Sequence, residues 1–267
     1  MNASDPAMET PVLEAMQLEV SIGGHQVCRN LDWRVGSGES WAILGRNGAG
    51  KSTLLSTLAG LRAQQGGRLN VAGLPLPQAS RGAGARAMAR ARGFLSQHQM
   101  DPFASTVMET VLVGRHPHLG RWDWESAADH RLASAALDEV DLGGFAEREV
   151  QSLSGGERQR LAVALLLAQE PQLFLLDEPL THLDLSHQVS VMNLFARRAT
   201  SGAAIVAVLH DPGFAARYCR QALLLFGDGE WMAGPAAEVI TAKHLSRLYG
   251  HPLHEVQVDG QRWFVPR

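Results

Sequence analysis

The nine residues from Gly45 to Thr53 restrict this chain more than any other stretch. Gly45-Arg46-Asn47-Gly48-Ala49-Gly50-Lys51-Ser52-Thr53 has the spacing GxxxxGK[ST]. An apolar run, Trp41–Leu44, leads into it, and a helical pattern over Lys51–Leu61 follows. Each residue type has a physical reason to be there. Glycines let successive backbone N–H groups converge on phosphate oxygens with no Cβ in the way. A helix opening near Lys51 turns its positive end toward the same anion. The Lys51 ammonium can then reach the outer phosphates of a nucleoside triphosphate, and the Ser52 hydroxyl can coordinate magnesium.

Further short apolar runs accompany that first one: Gly93–Ser96, Leu173–Leu176, Ala204–Leu209 and Ala222–Phe226. They are brief and end in turn or polar residues, as buried strands do. Helical stretches separate them, which predicts a mostly parallel sheet covered on both faces. Leu18–Ile22, Val27–Val35 and Arg68–Val71 are more polar and read as an antiparallel side sheet. Residues 12–97 and 160–250 are expected to build this α/β core. Residues 98–159, with alanine-rich charged patterning over Ser126–Asp141, read as an inserted helical lobe of the same domain. A short tail, 251–267, completes the chain, and its His251 and His254 read as surface or packing residues. The segment Gln78–Arg92, with Arg81, Arg86, Arg90 and Arg92, reads as a solvated basic helix or loop.

Ligands of such sheets gather at the carboxyl ends of the strands. There the apolar runs are followed by Gly45, Gln97, Asp177-Glu178 and His210. Asp177 suits magnesium, directly or through water, and Glu178 can aim at a water attacking the terminal phosphate. His210 is placed to hydrogen-bond that phosphate. A second anion site follows from Leu153-Ser154-Gly155-Gly156-Glu157-Arg158-Gln159-Arg160, where Ser154 is a natural N-cap and the glycines leave N–H groups open. One chain has no use for two such sites, whereas two copies packed head to tail do.

Charge and composition exclude several classes. There are 24 basic and 27 acidic residues, a net charge of −3, and 6% aromatics, so nothing points to nucleic acid. Two distant cysteines, Cys28 and Cys219, suit a reducing compartment better than a disulfide framework. Met1–Ala15 is polar and acidic, unlike a signal peptide, and no apolar run approaches the roughly 20 residues a bilayer span needs. A role at a membrane therefore requires a membrane partner.

Taken in order, the phosphate loop, Gln97, LSGGERQR, LLDEP, the Thr181-His182-Leu183-Asp184 loop and His210 resemble the ATP-binding subunits of ABC transporters along nearly the whole chain. The resemblance implies the two-lobed ABC ATPase fold, ATP and Mg²⁺, and transport-coupled hydrolysis. It also implies a homodimer sandwiching ATP, with Ser154, Gly155 and Gly156 contacting the partner copy's nucleotide. Glu178 would polarise the attacking water, His210 would steady the γ-phosphate, and Asp184 would communicate between the two sites. Gln97 would link magnesium to the helical lobe, whose groove receives a helix of the integral-membrane permease. Gly114-Arg115-His116-Pro117-His118, Leu183 to Gln188, and His210-Asp211-Pro212 resemble the branch importing metal chelates: ferric siderophores, cobalamin and heme. That branch works at the cytoplasmic face of the inner membrane, supplied by a periplasmic substrate-binding protein. His116 and His118 are not expected to bind metal, because the cargo passes through the permease. An exporter's ATPase and a non-transport ABC ATPase are the alternatives. A single ATPase domain and the short stretch between loop and signature argue against the latter, and Glu178 argues against a non-hydrolysing regulator. Two departures stand out. Ile22 occupies the place where many members put an adenine-stacking aromatic, so an aliphatic contact would replace it. Arg46 stands where proline is common and is expected to point to solvent.

Overall fold

The computed structural model describes residues 10–76, 82–97, 104–120 and 122–267. Leu13–Ile22 (β1) and His25–Val35 (β2) form an antiparallel hairpin in which Ile22 faces His25. Its two-residue turn, Gly23-Gly24, has φ of 56° and 79°, the left-handed geometry that matches strand twist and that glycine adopts without strain. Gly66–Val71 (β4) and Leu74–Leu76 (β5) extend this side sheet in the order β2-β1-β4-β5.

The main sheet contains Ser40–Gly45 (β3), Arg92–Leu95 (β6), Leu173–Asp177 (β7), Ala204–Val208 (β8), Gln221–Leu225 (β9) and Trp231–Pro235 (β10). Its order is β10-β9-β3-β8-β7-β6, parallel throughout except for β10 on β9. Both faces are covered, which is why these strands read as continuous apolar runs rather than alternating ones. Side chains still alternate in destination. Ile43, Leu173, Leu175, Val206 and Val208 join the side sheet and Lys51–Leu58 (α1) in one apolar cluster. Ala42, Leu44, Phe174, Leu176 and Ala207 face the other way. They meet Val107–Leu112 (α3), Ala127–Asp138 (α4), Gly155–Ala168 (α5) and Leu185–Thr200 (α6) in a second cluster. Gly82–Ala91 (α2), Pro212–Tyr218 (α7), Ala236–Val239 (α8) and Ala242–Tyr249 (α9) complete the helices among the described residues.

Two expectations change. Helix α1 stops at Leu58 rather than Leu61, because Gly60 takes φ 68° and donates its N–H to the Thr57 carbonyl. The basic segment is not simply solvated. Arg86 and Arg90 both donate through Nε to the Pro117 carbonyl, at 3.0 and 2.7 Å, tying α2 to the 3₁₀ turn Val113–His118. Arg92 starts β6, and burial lowers its pKa. Arg81 lies outside the described residues. In the short tail, Leu253–Val258 (β11) and Gln261–Pro266 (β12) pair as a hairpin. His254 in it accepts a hydrogen bond from Arg267. Cys28 and Cys219 are free and buried, and burial pushes both thiols up to about 12.

Candidate functional site

The loop after β3 is shaped by what surrounds it. A Cβ at Gly45 would stand 2.9 Å from the Leu225 carbonyl oxygen, so only glycine fits against β9. Gly48 and Gly50 take φ of 81° and 89°, and Gly50 is the left-handed N-cap of α1. Ala49 is buried, whereas Arg46, Asn47 and Gly48 face outward, leaving the loop rim open. The Lys51 ammonium donates to the carbonyls of Gly45 (2.9 Å) and Arg46 (3.1 Å), which holds it at the mouth of the loop. Burial lowers its pKa, partly offset by the charges of Glu178 and Asp177. A phosphate arriving there would find a cation already freed of much of its water. Thr53, one residue on, serves the helix: its carbonyl accepts from the Thr57 hydroxyl.

At the end of β7, Asp177 is buried, and its Oδ1 accepts a hydrogen bond of 3.0 Å from the Ser52 hydroxyl. Desolvation raises the Asp177 pKa, and the neighbouring Glu178 pushes the same way. A carboxylate kept short of water beside a hydroxyl is a donor pair for a hard cation. Among the described residues no three His, Cys, Asp or Glu side chains gather to hold a metal. Magnesium ordinarily takes most of its ligands from phosphate and water, so one carboxylate and one hydroxyl fit that ion.

Glu178 turns out of the strand with φ 53°, a left-handed conformation costing about 1–3 kcal/mol for a non-glycine residue. The turn aims its carboxylate at two converging donors. His210 Nε2 stands 2.6 Å from Oε1, and Gln97 Nε2 donates to Oε2 at 2.9 Å. Thus Gln97 after β6, Glu178 after β7 and His210 after β8 meet at one point beside the Ser52–Asp177 pair. A cavity of about 310 Å³ opens there, lined by Glu178, Thr181, His210 and Phe214.

The Ser154 stretch is a separate station. Ser154 caps α5 in a reciprocal box: Glu157 N donates to its Oγ, and its own N–H donates to Glu157 Oε2 at 2.7 Å. The Ser154 hydrogen bonds hold the Glu157 carboxyl below its usual range. Ser154 and Gly155 are exposed, and Gly155 and Gly156 lie against His182 rather than against the phosphate loop. Asp184, exposed, caps α6 by accepting from His187 N (2.9 Å). The signature turn and the 181–184 loop therefore form one continuous outer surface. Between it and the core lies a second cavity of about 320 Å³, lined by Gln97, Thr110, Gly155, Ala162 and His182.

Two contributors had no assigned role in the sequence reading. Buried Gln159, inside the LSGGERQR run, donates to the Pro179 carbonyl at 3.0 Å and so fixes the turn behind Glu178. Thr181 Oγ1 lies 3.5 Å from Glu178 Oε2. Only the fold reveals either pairing. His116 lies 3.5 Å from Glu125 inside the lobe, and the His118 ring bonds the Gln169 carbonyl of the core at 2.9 Å. Arg46 is exposed, with its guanidinium beside Gly250 at the end of α9.

Comparison with known proteins gives this geometry a family. Residues 28–181 match the ABC transporter family model. The chain is 41% identical over 270 residues to the hemin import ATP-binding protein HmuV of Nocardia farcinica (strain IFM 10152), covering 98% of this chain and 91% of that protein. It is 36% identical over 243 residues to the ferric enterobactin transport ATP-binding protein FepC of Escherichia coli (strain K12), covering 89% and 87%. A solved structure described as an inward-facing conformation of a putative metal-chelate type ABC transporter superposes with a TM-score of 0.82. It is 29% identical, over 97% of this chain and 98% of that one. With its phosphate loop, paired carboxylates and capped signature helix arranged as described, this chain belongs to the ABC transporter family, among its ATP-binding subunits.

Proposed function

We propose that this chain hydrolyses ATP to drive a membrane importer for a metal chelate, with hemin as the first candidate cargo. The observation that carries the catalytic reading is the convergence of Gln97 and His210 on the Glu178 carboxylate, beside the Ser52–Asp177 pair. Lys51 and the backbone of residues 45–53 hold the phosphates. Ser52, Asp177 and Gln97 would hold magnesium, which would neutralise charge on the phosphates. Glu178 orients the attacking water and takes its proton, while His210 steadies the γ-phosphate as charge shifts onto it.

The separation of Ser154–Gly156 from the phosphate loop within one chain supports a composite site. A second copy, related by a two-fold axis, would lay its Ser154 and Gly156 over the first copy's ATP, with Asp184 between the two sites. Closure would be felt by the helical lobe (98–159) through Gln97, which lines the 320 Å³ cavity where a helix of the permease would seat. No helix among the described residues is long and apolar enough to cross a membrane, so the transport path belongs to that partner. The assembly would stand at the cytoplasmic face of the inner membrane, fed by a periplasmic binding protein. The hemin and enterobactin relatives support the chelate reading, with a ferric siderophore as second cargo.

The test is reconstitution with the cognate permease in proteoliposomes. Hemin-loaded binding protein should stimulate ATP hydrolysis more than the siderophore-loaded one. Equal basal rates with every cargo would overturn the cargo assignment, and no hydrolysis with the permease would overturn the function.

A further inference from the structure

We propose that Trp263, in the C-terminal hairpin, is a positioning residue for His210, an inference that rests on His210 acting at the terminal phosphate. Half of the His210 side chain is exposed, so its surroundings alone do little to fix the ring. The backbone on either side must place it. Before His210, Leu209 N donates to the Ile43 carbonyl at 3.2 Å, inside the main sheet. After it the chain enters α7 at once. Asp211 is the N-cap, and its Oδ1 accepts from Gly213 N at 2.6 Å and Phe214 N at 3.0 Å. Helix α7 has only seven residues, so tertiary contacts decide where its first turn lies.

The tail supplies such a contact. Gly213 is buried, and a Cβ on it would lie 3.4 Å from Trp263 Cε3 and 2.9 Å from Asp211 Oδ1. The indole therefore rests on the residue whose N–H binds the capping carboxylate. Strand β12 is anchored on either side of Trp263. Arg262 donates to the Ile240 carbonyl at 2.6 Å and pairs with Glu255 across the hairpin, while Phe264 packs against the second apolar cluster.

Phe214 carries this support to the reaction. It lines the 310 Å³ cavity with Glu178 and His210, and a further cavity of about 170 Å³ with Leu185, Val189 and Trp263. Trp263 itself does not line the catalytic cavity, so it acts on the chemistry through α7. A shift in the first turn of α7 would carry His210 away from its place, and a misplacement of about 1 Å can cost about 10²-fold in rate.

The test follows ATP hydrolysis by the full chain with its permease. Trp263→Ala should lower kcat by about tenfold to a hundredfold and leave KM for ATP unchanged, since the phosphate loop keeps its contacts. Trp263→Phe, which keeps a ring against Gly213, should restore most of the rate. Gly213→Ala disturbs the same contact from α7 with the tail intact, and should also lower kcat. In single-turnover assays of a His210→Gln chain, Trp263→Ala should cause no further loss, because the two residues act as a unit. An unchanged kcat in both Trp263→Ala and Gly213→Ala overturns the inference, as does an equal fractional loss with and without His210. Wild-type turnover by His210→Gln would instead overturn the role of His210 on which the inference stands.

Discussion

His210 Nε2 lies 2.6 Å from Glu178 Oε1, while Gln97 donates to the other oxygen of the same carboxylate. Glu178 is thereby held from both sides, in a backbone conformation that a non-glycine residue rarely adopts. Glu178→Gln keeps the shape and loses the base. Steady-state ATP hydrolysis should fall by about 10²- to 10⁴-fold, the usual share of a positioned general base. ATP binding should persist, and light scattering after gel filtration should show an ATP-dependent dimer. Near wild-type turnover would remove Glu178 from the proposed role.

Gly155 tests the composite site. A Cβ there would approach His182 no closer than 3.6 Å, so Gly155→Asp fits within the chain. The added carboxylate would face the partner's phosphates, a like-charge contact costing several kcal/mol. The variant should melt like wild type and bind ATP, yet fail to dimerise, with hydrolysis down more than about tenfold. Unimpaired dimerisation would place the partner's ATP elsewhere.

Asp177 carries a predicted conflict between stability and function. Its folded pKa is raised by burial, so the stability it contributes is greatest in acid and is lost as pH rises through that raised value. At neutral pH the ionised form is therefore a cost to the nucleotide-free chain. Asp177→Asn should raise the melting temperature at pH 7 and flatten the part of the stability profile due to this group. It should also abolish the magnesium dependence of ATP binding. Thermal scans across pH, with and without MgATP, read both effects, and a lower melting temperature at pH 7 would contradict the argument.

Gly50 joins the loop to the hairpin. Gly50→Ala meets two obstacles, a φ of 89° and the Val27 methyl at 2.4 Å. The hairpin or the loop must yield, at a cost of about 1–3 kcal/mol as in other overpacked sites. Urea denaturation should register that loss. Val27→Ala in the same chain should recover part of it, since it removes the clashing methyl groups.

Several features were legible in the residues alone. Strands β3, β7 and β8 announce themselves as short runs buried on both faces, and the polar residues after them mark the sheet edge where ligands bind. The glycine spacing of the phosphate loop and the Ser154 cap are local, because each depends on backbone geometry within a few residues. The folded tail was not legible: Leu253–Val258 and Gln261–Pro266 pair only with each other, and they mix charged and apolar residues as a solvated stretch would. Nor was the work of Arg86 and Arg90, since a guanidinium in a basic run looks solvated until a distant carbonyl such as that of Pro117 comes within reach.

The sequence by itself determined that this chain builds a phosphate loop on a parallel sheet, because strand periodicity, glycine spacing and helix caps are properties of neighbouring residues. Only the tertiary structure decided which side chains meet. Glu178 is clasped by groups 81 residues before it and 32 after it. Such meetings depend on strand order and register, which sum contributions from the whole chain and leave no local mark.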